Sequence, residues 1–148
     1  MRKINIIYAG GIKSREKYFL ETINEYTKRL SRDFKIANIE IKETDLKTEG
    51  KQILEKTNSG AFKIALCVEG KKLTSEDFTA LLYRRGELCS SVDFLIGSSH
   101  GLSDEVKKSA DYLLSLSDMT FTHRLARVML MEQIYRAYAI ETGLKYHK

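Results

Sequence analysis

Apolar residues recur along this chain with two periods, and each switch between them marks the boundary of an element. Lys3–Tyr8 alternates and stops at Gly10-Gly11, the pattern of a strand that ends in a turn. From Glu16 to Ser31, the residues Phe19, Ile23, Tyr26 and Leu30 fall at i, i+4, i+7 and i+11, which is a helix with one buried stripe. Phe34 and Ile36 then alternate in one phase and Ile39 and Ile41 in the other, which predicts a strand with a bulge near Ala37-Asn38. Thr44 or Asp45 caps a weak helix through Ile53 and Leu54, interrupted at Gly50 and closed by Asn58-Ser59-Gly60.

Phe62–Val68 is almost wholly apolar, as a strand covered on both faces should be, and Glu69-Gly70-Lys71-Lys72 reads as a turn. Thr74 with Asp77 opens a helix that points Phe78, Leu81 and Leu82 inward. Val92–Ile96 is a short buried strand, and Gly97-Ser98-Ser99-His100-Gly101 bends sharply after it. Ser103 caps a short helix, Tyr112–Leu116 is a fifth strand, and a helix from His123 to Thr142 ends at Gly143 as its left-handed residue. Strands alternating with helices predict an α/β fold, a parallel sheet with helices on both faces and ligands at the carboxyl ends of its strands.

Composition narrows the class. A chain of 148 residues, 43% apolar and 30% charged, with no proline, reads as one domain over residues 1–148. Its apolar runs fall short of the roughly 20 residues of a membrane span, and the stretch after Met1-Arg2-Lys3 is too short for a signal peptide, so a cytoplasmic protein without a membrane partner is expected. Cys67 and Cys89 lack metal or redox spacing and read as small hydrophobes. The net charge of +5 concentrates at the two ends, while the middle carries a slight acidic excess. Basic ends on a near-neutral body fit a phosphate-binding face, and equally fit plain surface lysine.

The loops exclude several chemistries. Neither Gly10-Gly11 nor Gly97…Gly101 has dinucleotide spacing, and no P-loop is present. His100, His123 and His147 have no partner at metal-ligand spacing, so no metal is expected, and Gly97–Gly101 is not a hydrolase nucleophile elbow. Three glycine- or serine-rich strand ends remain, at Val68–Gly70, Ile96–Gly101 and Leu116–Thr122. Their free main-chain groups suit an adenosine read at its ring edge, and suit tight turns as well.

Three stretches carry a resemblance: Asp93–Leu102 (DFLIGSSHGL), Ser115–His123 (SLSDMTFTH) and Arg127–Ala137 (RVMLMEQIYRA), with the terminal Tyr146-His147. Together they resemble the RlmH family of SPOUT-class methyltransferases, along the whole chain and most densely from Val92 onward. The resemblance implies a homodimer, a five-stranded parallel sheet, a C-terminal trefoil knot and S-adenosyl-L-methionine held bent within it. It further implies methylation at N3 of a pseudouridine in large-subunit ribosomal RNA, on the assembled ribosome. Cofactor positions carried over are Leu66, Gly97, Ser98, Ser117, Asp118, Met119, Thr120, Phe121 and Thr122. The chain departs from the family where the usual Gly-Gly-Pro-Glu-Gly is Gly97-Ser98-Ser99-His100-Gly101, and where prolines usual beside His123 are Thr122 and Arg124. Ser98 would distort the loop if its φ were positive.

For the chemistry, Arg136, Tyr146 and His147 are the catalytic candidates, and His123 and Arg127 are the RNA-binding ones. A polar terminus accounts equally well for Tyr146 and His147, and helix capping for His123. Arg127 and Arg136, nine positions apart, fall on opposite sides of one helix and cannot share a phosphate. Glu132 and Arg136 have salt-bridge spacing, and Tyr135 and Tyr138 read as core or dimer contacts. Two competing readings are a non-catalytic ribosome- or RNA-binding module of the same fold, and a monomeric small-molecule-binding domain.

Overall fold

The computed structural model describes residues 2–147. Strands β1 (Arg2–Ala9), β2 (Phe34–Ile41), β3 (Phe62–Lys72), β4 (Val92–Ile96) and β5 (Tyr112–Ser115) form one sheet in the order β2-β1-β4-β3-β5. Every pairing in it is parallel. Helices α1 (Lys17–Arg29), α2 (Leu46–Glu55), α3 (Ser75–Leu88) and α4 (Asp104–Ser109) lie in the connections, and α5 (His123–Thr142) follows β5. Five parallel strands bring all their carboxyl ends to one edge, where connecting loops converge.

Alternation along the strands feeds two separate cores. Ile4, Ile6, Phe62, Ile64, Val92 and Phe94 point to one face and pack under Ile23 and Leu30 of the α1 segment, Phe78 and Leu82 of α3, and Leu130 and Ile134 of α5. Ile7, Ala9, Ile41, Ala65 and Leu95 point to the other, under Ile53 of α2 with Leu102 and Val106 of the α4 segment. The helices therefore cover both faces, as the strand patterns predict.

Two expectations about the strands fail. Strand β2 pairs with β1 in unbroken register from Arg2↔Phe34 to Ala9↔Ile41, with no bulge at Ala37-Asn38. Its two hydrophobic phases are its two faces: Phe34 and Ile36 join the larger core, and Ile39 and Ile41 the smaller. The stretch Glu69–Lys72 is not a turn but the second half of β3, whose register against β5 shifts between Leu66 and Lys71. Gly70 permits this, since a Cβ there would lie 2.7 Å from the carbonyl carbons of Leu113 and Leu114.

Helix starts follow their side-chain caps. Asp45 accepts from Thr48 N–H at 2.8 Å, Thr74 from Asp77 N–H at 3.0 Å, and Ser103 from Val106 N–H at 3.2 Å. Helix α2 runs through Gly50 without interruption, and α5 ends on Gly143 at φ 76°. Among the described residues no helix is long and apolar enough to cross a membrane.

Candidate active site

The carboxyl edge holds a cleft of about 750 Å³ between the ends of β3, β4 and β5. Leu66–Glu69 of β3 forms one side, Ile96–Ser99 with Gly101-Leu102 the second, and Leu114–Ser117 with Met119–Arg124 the third. Lys13, Glu43, Lys107 and Ala126 complete the lining.

The turn after β4 depends on bare backbone. Gly101 N–H donates to Ser98 O at 2.9 Å, and a Cβ on Gly97 would fall 2.1 Å from Gly101 O, so only glycine lets the turn fold back on itself. Gly101 takes φ +77°, whereas no non-glycine residue among those described has a positive φ, so Ser98 is accommodated without backbone strain. Across the cleft, Ser115 Oγ donates to Ser117 O at 2.8 Å and Ser117 Oγ accepts from Met119 N–H at 3.1 Å, which shapes the β5–α5 loop. Thr122 then caps α5 by accepting from Leu125 N–H at 3.3 Å.

Of the positions expected to hold cofactor, Leu66, Gly97, Ser98, Ser117, Met119, Thr120, Phe121 and Thr122 all line the cleft. Asp118 does not, because its exposed carboxylate turns outward and pairs with Lys72 Nζ at 2.5 Å. Lys13, Glu43, Cys67, Lys107 and Arg124 also line the cleft and were not among the named cofactor positions; they arrive from beyond the Gly10-Gly11 turn, from the β2–α2 connection, from β3, from α4 and from the first turn of α5. Lys107 is held there by an ion pair with Glu69 at 2.5 Å, and Arg124 faces Glu16 at 3.3 Å. Among the described residues no acid, histidine and cysteine cluster could hold a metal ion.

His123 lines the cleft with an Nε2 atom that has no hydrogen-bond partner. Burial and then the Arg124 charge push its imidazole below the ordinary range, so it is biased neutral. Arg127 is elsewhere: 2% exposed, with its guanidinium 3.4 Å over the Tyr8 ring. A phosphate contact by Arg127 therefore calls for it to leave this stack.

The three catalytic candidates come together in a second place, at Arg136 on α5 and the tail that follows the helix, and none of them lines the cleft. Arg136 Nε and Nη2 donate to Glu132 at 2.9 and 2.5 Å, the predicted i, i+4 pair. His147 Nδ1 lies 3.1 Å from Arg136 Nη1, and its Nε2 lies 2.8 Å from Glu76. Tyr146 stacks under the Arg136 guanidinium at 4.9 Å and edge-on to Tyr135 at 4.9 Å. The phenol pKa of the neighbouring Tyr26 is pushed up to about 12, by burial first and then by the nearby Tyr146 hydroxyl.

An open parallel α/β sheet with a cleft among its strand-end loops defines the class of α/β folds whose ligand sites are expected at the carboxyl edge. The family is more specific than the class. The family model described as predicted SPOUT methyltransferase matches residues 2–147, and the chain belongs to the SPOUT methyltransferase family. It is similar to the ribosomal RNA large subunit methyltransferase H of Caldicellulosiruptor bescii, 47% identical over 98% of this chain and 99% of that protein. The protein of the same name from Bifidobacterium adolescentis is 44% identical over 99% of each chain, and that from Oenococcus oeni 43% identical over all of both.

Proposed function

We propose that this chain is a single-domain, S-adenosyl-L-methionine-dependent methyltransferase that modifies N3 of a pseudouridine in large-subunit ribosomal RNA. It works in the cytoplasm on the assembled ribosome, as a homodimer whose C-terminal segment is threaded as a trefoil knot. The observation that carries this reading is the meeting of the β3, β4 and β5 loops in one cleft, in a chain of this family whose relatives bear that ribosomal name.

The residues present fit the cofactor. Leu66, Met119 and Phe121 offer apolar faces to an adenine, the main chain at Gly97 and Ser98 offers polar groups to its edge, and Lys13, Lys107 and Arg124 bring positive charge for a carboxylate. Ser117, Thr120 and Thr122 supply hydroxyls, while Asp118 contributes through the position of its loop. When bound, the cofactor supplies an electrophilic methyl group on a positively charged sulfur and departs as a neutral thioether.

The protein's part is to orient the base and manage one proton. N3–H of pseudouridine lies between two carbonyls, so N3 must lose that proton to bond the methyl carbon, and the negative charge spreads onto both oxygens. Arg136, already paired with Glu132, is the cation assigned to that charge, the neutral imidazole of His147 is the group assigned to accept the proton, and Tyr146, beneath the Arg136 guanidinium, is assigned to hold it in place. They lie apart from their own subunit's cleft, so a second copy is assigned to bring them over it. Positioning of this kind reduces the barrier largely through entropy, and a general base adds about 10²–10⁴-fold. His123, on the cleft rim and neutral, is assigned to RNA, with Arg127 behind it.

Calorimetric titration with S-adenosyl-L-methionine, then tritiated-methyl transfer to ribosomes lacking the modification, tests the reading. Saturable binding and incorporation at one pseudouridine are expected. Absence of binding at millimolar cofactor overturns it, and binding to ribosomes without transfer leaves the non-catalytic module.

A further inference from the structure

Glu49 is an acid 1% exposed, in the first turn of α2 and outside the cleft. A buried carboxylate is costly unless hydrogen-bonded, so its partners show what it is for. Oε2 accepts Thr44 N–H at 2.8 Å, and Oε1 accepts the Ser98 hydroxyl at 2.8 Å. Ser98 is itself on the cleft wall, and its Oγ also lies 3.4 Å from His100 N–H. One carboxylate thus joins the β2–α2 connection to the turn after β4. A second bond runs beside it, from Ser99 Oγ to Glu43 Oε1 at 3.2 Å.

The far end of the same turn rests on the next residue of α2. A Cβ on Gly50 would lie 2.3 Å from Ser103 Oγ, the hydroxyl that caps α4. The segment from Ser98 to Ser103 is therefore seated at both ends against Glu49-Gly50.

We propose that Glu49 is a positioning residue for the cofactor loop: through the Ser98 hydroxyl it fixes the main chain of Gly97–Gly101 in its ligand-ready shape without touching the ligand. The proposal rests on the reading of the cleft as the S-adenosyl-L-methionine site. It also explains the serines at this turn. A proline would stiffen such a loop by restricting φ, and here two hydroxyls bonded to a neighbouring connection supply the restraint.

Three variants test this: Ser98→Ala, Glu49→Gln and the double variant. Each is titrated with S-adenosyl-L-methionine and followed by amide hydrogen exchange in the ligand-free state. Ser98→Ala is expected to weaken cofactor binding about tenfold, the size of one hydrogen bond to a charged group, and to speed exchange at Ser99–Gly101. Glu49→Gln should weaken it less, since an amide can accept from Thr44 and donate to Ser98. The double variant should bind no more weakly than Ser98→Ala, because Glu49 acts through that hydroxyl. Additive losses, or Ser98→Ala with unchanged affinity and exchange, overturn the proposal. If the parent protein binds no cofactor the reading of the cleft falls, and the exchange rates of Ser98→Ala still decide the clamp.

Discussion

Gly97 sets the tightest steric condition among the glycines described. Its missing Cβ would overlap Gly101 O at 2.1 Å, and the obstructing atom is backbone that has no rotamer to escape into. Gly97→Ala should therefore lower cofactor affinity at least about tenfold while costing about 1–3 kcal/mol of stability, as read by calorimetry and thermal melting. His123 gives a second residue-scale test. Its folded-state pKa lies below the ordinary imidazole value because of burial and Arg124. Folding thus expels a proton, and the associated stability is present above the unfolded pKa and lost as pH falls toward the folded one. Denaturant midpoints measured between about pH 8 and about pH 5 should drop less for His123→Gln than for the parent. At this scale the glycines and serines of the cleft were legible because their residue types advertise turns. Glu49 was not, since an acid near a helix start looks like dipole compensation until its bond to Ser98, 49 positions away, is seen.

At the level of elements, the order of strands and helices followed from periodicity, and the edge they share followed from their being parallel. What periodicity missed is instructive. The phase change in β2 is what a strand shows when both its faces meet hydrophobic layers, and the polar run Glu69–Lys72 stays in the sheet because pairing with β5 resumes beyond the shift. Gly70 is the hinge of that resumption. Gly70→Ala should force the β3 and β5 backbones apart and cost about 1–3 kcal/mol, with faster amide exchange in Lys71 and Lys72. Unchanged thermal stability would show that the 2.7 Å approach to Leu113 and Leu114 is not needed.

For the whole molecule, the separation of cleft and tail cluster is the main feature that sequence could not give. Residue type marks Arg136, Tyr146 and His147 as catalytic candidates, but how far a helix carries them from the sheet edge depends on tertiary packing. If two copies share each site, Arg136→Ala should cut methyl transfer at least about a hundredfold with cofactor affinity little changed. Mixing it with Gly97→Ala protein should restore transfer, because one mixed site then has an intact cleft and an intact arginine. Failure of the mixture to recover, with both variants dimeric by light scattering, would assign cleft and arginine to the same subunit.

The two faces of the sheet are unequal. The side under α1, α3 and α5 contains Phe34, Phe62, Phe78 and Phe94, whereas the side under α2 and α4 is built from aliphatic residues, two of them alanine. The clamp on the Gly97–Gly101 turn hangs from the thinner side. Local opening begins where apolar contact is sparse, so gentle warming should disengage α2 and α4 first. The protein would then lose its grip on a small ligand while circular dichroism still reported a folded sheet, and an inactivation temperature below the melting temperature would be the sign of it.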